Sequence, residues 1–235
     1  MGVSYIGDLN VGALHAASLM CSKDVARPAL QQVRVLDERT FVGTDSYRLM
    51  LAFDGVMNAG DLIAHVRKTE LVAAAHTLVS AALVDRFVKR VKADKCHNIG
   101  ARFDVVDGAT NLIAGRGVES GLAGAVGLAC ERETPYPVEF PTIGGILKLG
   151  EPQPLVSSFS AAFLADLSKI SVAAGGAKDT AWTLVGSTGD GAGRSPTVWA
   201  AWPNEVTLVM VLMPVRVEAR SWVADVVDAR VLVDA

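Results

Sequence analysis

Two apolar runs, Val33 to Val42 and Leu49 to Phe53, are separated by Gly43-Thr44-Asp45-Ser46-Tyr47-Arg48. Asp and Ser side chains hydrogen-bond their own backbone, so a Thr-Asp-Ser triplet between apolar runs marks a tight corner. The first run divides again at Asp37-Glu38-Arg39, which predicts strands at Gln32 to Leu36 and Thr40 to Val42, then a third at Leu49 to Phe53 closed by Asp54-Gly55. Alone, this stretch supports a hairpin corner carrying one Tyr and one Arg.

Helical spacing brackets these strands. Val11, Leu14, Ala17 and Cys21 recur on one face of a helix predicted over Leu9 to Lys23, and Arg27-Pro28 stops it because a residue before proline avoids the α region. Asp61 to Val66 reads as a short strand. Arg67 to Val91 is alanine-rich and free of Gly and Pro, and predicts one long helix. A hairpin is predicted at Ala101 to Val106 and Asn111 to Ala114 around Asp107-Gly108, then an extended run from Leu122 to Arg132. Beyond a boundary near Gly150-Glu151-Pro152, a third helix spans Phe159 to Ala173, with Phe159, Phe163, Leu167 and Ile170 on one face and Gly175-Gly176 as its stop. Strands follow at Ala181 to Val185, Thr197 to Trp202 and Glu205 to Val217. The fold class is α+β.

Composition narrows the function classes. Half of the 235 residues are apolar (51%) and a fifth are charged (20%), the mix of a soluble globular chain. No apolar run reaches the ~18 residues of a membrane span, and no charged leader precedes an apolar segment. Three unpaired cysteines, Cys21, Cys96 and Cys130, predict a reducing, cytoplasmic setting. A formal net charge of −3 argues against a protein that coats nucleic acid, though a local basic face is compatible with it.

Catalytic and cofactor signatures are missing. The Gly186 to Gly193 loop runs through Arg194-Ser195-Pro196 into a strand, whereas a P-loop needs Gly-Lys-Ser/Thr opening a helix. Gly115-Arg116-Gly117 fails the dinucleotide fingerprint, four scattered histidines show no metal spacing, and no Gly-x-Ser-x-Gly elbow occurs. The expectation is a protein that is not an enzyme and uses no cofactor.

Three segments change meaning when taken together. They are Thr44-Asp45-Ser46-Tyr47-Arg48-Leu49, Phe140-Pro141-Thr142-Ile143-Gly144-Gly145-Ile146-Leu147 and Met213-Pro214-Val215-Arg216. Singly, Leu49 and Met213 read as core residues, and Arg48 as the partner of a carboxylate. In this order, and with the approach Ala17 to Leu30 before them, they resemble the T-D-x-x-R-L turn, F-P segment and M-P-x-R strand of the bacterial β sliding clamp. That family is the non-catalytic ring that tethers DNA polymerase III to its template. The resemblance runs from about Leu9 to Val217.

The resemblance implies a DNA-clamp fold with paired helices backed by antiparallel sheets. It implies one complete domain over 1–150, a half-domain over 151–218, and a C-terminal extension over 219–235 that the family does not cover. Family members carry three complete domains and close as a dimeric ring, and this chain departs from that plan.

A pocket for short hydrophobic peptides of polymerase and clamp loader is implied at Leu30, Thr44, Ser46, Tyr47, Arg48, Leu49, Pro141, Gly145, Ile146, Val211, Leu212, Met213, Pro214 and Arg216. Gly144-Gly145 stands where the family has bulkier residues, which predicts a wider or shallower pocket there. Weak, non-specific contact with double-stranded DNA is implied for Lys23, Arg27, Arg67, Lys68, Lys89 and Arg90. The half-domain helix needs a cover, so a homo-oligomer, a dimer or dimer of dimers, is expected. The alternative function is a clamp mimic that captures clamp-binding proteins without encircling DNA.

Overall fold

The structure, a computed structural model, describes residues 4–72, 77–93, 100–106, 109–116, 126–134, 138–144, 147, 161–187 and 197–212. The expected boundary near Gly150, the Asp107-Gly108 turn, Phe159 and the extension 219–235 lie outside the described residues, as does the side chain of Phe163.

The chain repeats one unit, a helix followed by three antiparallel strands. Strand β1 (Ser4–Asp8) precedes α1 (Val11–Ser18), which leads into β2 (Gln32–Asp37), β3 (Thr40–Thr44) and β4 (Arg48–Asp54). After α2 (Ala59–Val72), β5 (Thr77–Ser80) precedes α3 (Ala81–Ala93), followed by β6 (Gly100–Val106), β7 (Ala109–Arg116) and β8 (Val126–Glu133). The third unit is α4 (Ala161–Ala173) with β9 (Thr183–Ser187), β10 (Thr197–Ala201) and β11 (Val206–Leu212).

Two sheets result, ordered β1-β6-β7-β8 and β5-β2-β3-β4-β11-β10-β9. All named strand pairs are antiparallel, and β4 meets β11 over seven residue pairs from Asp54↔Val206 to Arg48↔Leu212. The third unit therefore extends the sheet of the first.

Alternation along the strands divides the core. Val33, Val35, Phe41, Met50, Ala52, Leu208, Met210 and Leu212 face one cluster, with α1, α3 and Ile170 of α4. Val42, Leu49, Leu51, Phe53, Val209 and Val211 face the other, covered by Leu62, Ile63 and Val66 of α2 together with Ile143 and Leu147. A period of two places successive residues on opposite faces, so this sheet is apolar on both sides and helices cover both.

Three expectations are corrected. The long helix over Arg67 to Val91 is two helices with β5 between them, and Asp61 to Val66 is helical, inside α2. Helix propensity is overridden because Val79 pairs with Val33 of β2 and Ser80 caps α3, its Oγ accepting from Leu83 N at 3.0 Å. Asn58 does the same for α2, accepting from Asp61 N at 2.8 Å. Helix α1 is shorter than Leu9 to Lys23. The amides of Met20 and Cys21 bond three residues back, tightening the last turn, and Ser22 N then bonds Leu30 O at 2.8 Å.

Candidate functional site

The Thr44–Leu49 corner is closed by its own side chains. Asp45 Oδ1 accepts from Tyr47 N and Arg48 N at 2.9 and 2.8 Å, while Thr44 Oγ1 donates to Arg48 O at 2.7 Å and accepts from Ser46 N at 3.2 Å. Ser46 takes a φ of 79° at the tip. Tyr47 is thereby pushed outward, 55% exposed. Arg48 is clamped between two carboxylates: Nε donates to Asp45 Oδ2 at 2.9 Å and a terminal nitrogen to Asp166 Oδ2, on α4, at 2.6 Å. Lys169 Nζ donates to the other Asp166 oxygen at 2.7 Å. Burial works to raise the Asp166 pKa, but hydrogen bonds from Lys169 and Arg48 outweigh it and hold the carboxyl below its usual range.

Register decides which expected pocket residues meet. Val211 pairs with Leu49 and Leu212 with Arg48 across β4 and β11. Neighbouring positions point to opposite faces, so Leu49 and Val211 enter the cluster beneath α2, whereas Leu212 enters the cluster beneath α1. Leu30, Thr44, Leu49 and Val211 are buried, and Pro141 is half-buried. Gly145, Ile146, Met213, Pro214 and Arg216 lie outside the described residues.

The segment around Pro141 is tied to α2 by Glu70. Its carboxylate accepts from Ile143 N at 2.9 Å and Gly144 N at 2.6 Å, and it pairs with Arg34 at 2.8 Å. Arg34 also lies 5.7 Å from the Phe140 ring centroid. A Cβ on Gly144 would stand 2.8 Å from Glu70 Oε2, so a glycine admits this carboxylate.

On the other side of the sheet, a cleft of about 950 Å3 is lined by α1, α3, α4 and the Tyr47 corner. It brings Lys23 and Arg27 together with Tyr47 and Arg48, two groups that the sequence assigns to different ligands. Gln32, 2% exposed, lines the cleft, and its Oε1 has no partner among the described residues.

The helix layer α1, α3, α4 is basic. The three helices carry five Lys and Arg and two Asp, and Lys23, Asp24 and Arg27 follow α1, in a chain whose net charge is −3. Lys89 and Arg90 are exposed on α3; Lys89 pairs with Asp85 at 2.6 Å, and Arg90 with Glu131 at 3.6 Å. Arg86 pairs with Glu131 and Glu133 at 3.4 and 3.1 Å. His15 of α1 is pushed below its usual pKa by burial and by the charge of Lys92, with Asp85 opposing. Arg67 and Lys68 do not join this layer. They are exposed on α2, on the opposite face of the sheet.

Sequence reasoning groups Arg86 and Lys92 with Lys89 and Arg90 as one basic patch and does not single out Asp166 as a site residue. Helical spacing gives the cations of α3, whereas nothing local links Asp166 to Arg48, 118 positions away. Among the described residues, no group of His, Cys, Asp and Glu is arranged to hold a metal ion.

No family model matches the chain, and no curated protein matches it. Solved structures to which the chain is similar include the DNA polymerase sliding clamp of Bacillus subtilis, with 11% identity and a TM-score of 0.42 over 91% of this chain and 64% of that one. The DNA polymerase III beta subunit of Thermotoga maritima is similar with 13% identity and a TM-score of 0.39, over 92% of this chain and 66% of that one. The chain thus spans about two thirds of the length of these clamps.

Proposed function

We propose that the chain is a non-catalytic DNA tether of the sliding-clamp kind, with α1, α3 and α4 turned toward the duplex. The observation that carries this reading is the segregation of charge. Five cations and two carboxylates stand on α1, α3 and α4, with Lys23, Asp24 and Arg27 just beyond α1, in a protein that is acidic as a whole. Cations on a rigid helix layer contact phosphates without reading bases. Exposed ion pairs such as Lys89–Asp85 contribute about 0–1 kcal/mol, so a phosphate displaces the carboxylate at little cost.

Capture of short hydrophobic peptides belongs to the same reading, with Leu49 and Val211 as its apolar wall. Helix α2 lies over that wall through Leu62, Ile63 and Val66. A peptide therefore reaches these residues only by displacing α2, and α2 acts as its competitor.

The experiment compares two sets of variants in binding to a duplex. Lys89→Ala/Arg90→Ala/Lys92→Ala is expected to weaken binding at least tenfold. It should also flatten the salt dependence by roughly 0.9 log unit for each phosphate that is no longer neutralised. Arg67→Ala/Lys68→Ala, on the opposite face, is expected to change neither. Equal losses in both sets, or no binding by the wild type at low salt, overturn the reading.

A further inference from the structure

The cleft on the helix side of the sheet contains a group that its own surroundings leave unsatisfied. Gln32 is the first residue of β2, where its backbone lies opposite Ser80 of β5. Its side chain is buried and lines the cleft, and Oε1 has no partner among the described residues. The hydroxyl opposite it is already committed, since Ser80 Oγ donates to Glu133 at 2.9 Å and accepts from Leu83 N at 3.0 Å. Burial strips an amide oxygen of water and, without a donor, gives nothing back, so native folds keep few such groups.

The other lining groups show what a ligand must carry. Tyr47 presents an exposed aromatic ring. Lys23 and Arg27, just beyond α1, add positive charge, and Lys23 makes no ion pair among the described residues. Five carboxylates also line the cleft, and each is paired: Asp24 with Arg27, Asp45 and Asp166 with Arg48, Asp85 with Lys89, and Glu133 with Arg86. The cleft is therefore close to neutral. That disfavours a free polyphosphate and suits one phosphodiester charge beside Lys23.

We propose that this cleft seats an unpaired nucleotide of a DNA single strand, its base stacked on Tyr47 with an edge on the Gln32 amide, and its phosphate toward Lys23 and Arg27. An amide offers a donor beside an acceptor, and every base edge carries such a pair, so Gln32 binds without selecting sequence. An aromatic face stacks any base in the same tolerant way. The volume of about 950 Å3 lies within the ~300–1,000 Å3 of small-ligand sites. Lys23–Arg27 and Tyr47–Arg48, which the sequence divides between DNA and a peptide, thus serve one ligand. The choice of DNA rests on the tether reading, because the cleft is built from α1, α3 and α4. It goes beyond that reading, because a duplex offers no unpaired base.

Fluorescence anisotropy of the full chain with three probes tests the proposal: a blunt duplex, the same duplex with a short oligothymidine overhang, and the overhang strand alone. The overhang probe is expected to bind at least about fivefold tighter than the blunt duplex, the gain of one stacked base. Tyr47→Ala and Gln32→Leu, with far-UV circular dichroism unchanged, are expected to lose that gain and keep the blunt-duplex affinity. An overhang that adds nothing, or variants that keep its full gain, overturns the proposal. Binding of the single strand without the blunt duplex, lost in Tyr47→Ala, overturns the tether reading and supports the nucleotide seat. Should Gln32→Leu fail to fold, 5-iodouracil in the overhang gives an independent reading. Under illumination it should couple to Tyr47, and an adduct elsewhere, or none, overturns the proposal.

Discussion

Glu70 holds three groups with one carboxylate: Arg34, Ile143 N and Gly144 N. Both side chains of the ion pair are only 8% exposed. Removing one partner of a buried pair leaves an uncompensated charge, so Glu70→Ala is expected to cost about 3–5 kcal/mol in urea denaturation. A loss below about 1 kcal/mol would mean that the pair is solvated like a surface one. The same carboxylate explains Gly144, which the sequence reads as a widening of a peptide pocket. Gly43 has a comparable cause, since a Cβ there would stand 2.0 Å from the carbonyl oxygen of Ala17 on α1. The Thr44 to Arg48 corner is legible in the sequence because its hydrogen bonds span no more than four residues. Asp166 is not, because long-range packing alone brings it to Arg48. Burial pushes the Cys21 thiol up to about 12, in keeping with an inert core residue.

Elements with strict alternation are readable, and those set by propensity alone are not. Strands β2, β3 and β4 appear where the apolar runs and the Asp-Ser corner put them. The alanine-rich segment around residue 75 reads as one helix, yet β-branched Thr77 and Val79 with the capping Ser80 are the local signals of a strand and a new helix start. Helix α2 matters most for function, because it decides whether the Leu49–Val211 wall is open. Leu62 on α2 is fully buried. Leu62→Ala is expected to destabilise the protein by about 2–5 kcal/mol if α2 is firmly packed, as the large-to-small cost in a closed core. A thermal-melt series giving less than about 1 kcal/mol would show α2 loosely seated and the wall open to peptides, against the arrangement described above.

At the scale of the molecule, β4 and β11 join the third unit to the first across seven residue pairs, and one apolar cluster runs from Ala13 and Leu14 of α1 through Met50 to Ile170, Leu208 and Met210. The sequence suggests a boundary near residue 150, because Pro and Gly cluster there, but composition along a chain carries no information about which strand edges later pair. A sheet shared between two units couples their unfolding. Separating them exposes the hydrogen-bonding edges of β4 and β11 together with the apolar cluster that Ile170, Leu208 and Met210 share with α1, which makes the partly unfolded state costly. The tryptophans allow a direct test, since all four lie beyond residue 181, at 182, 199, 202 and 222. Trp182 and Trp199 pack against the shared cluster. Fluorescence of a Trp222→Phe variant therefore reports the third unit, and far-UV circular dichroism reports the whole chain. The two denaturation curves are expected to coincide in midpoint and slope, the signature of one cooperative transition. A fluorescence midpoint well below that of the circular dichroism would show the third unit unfolding first, making the β4–β11 seam a weak joint between separable bodies.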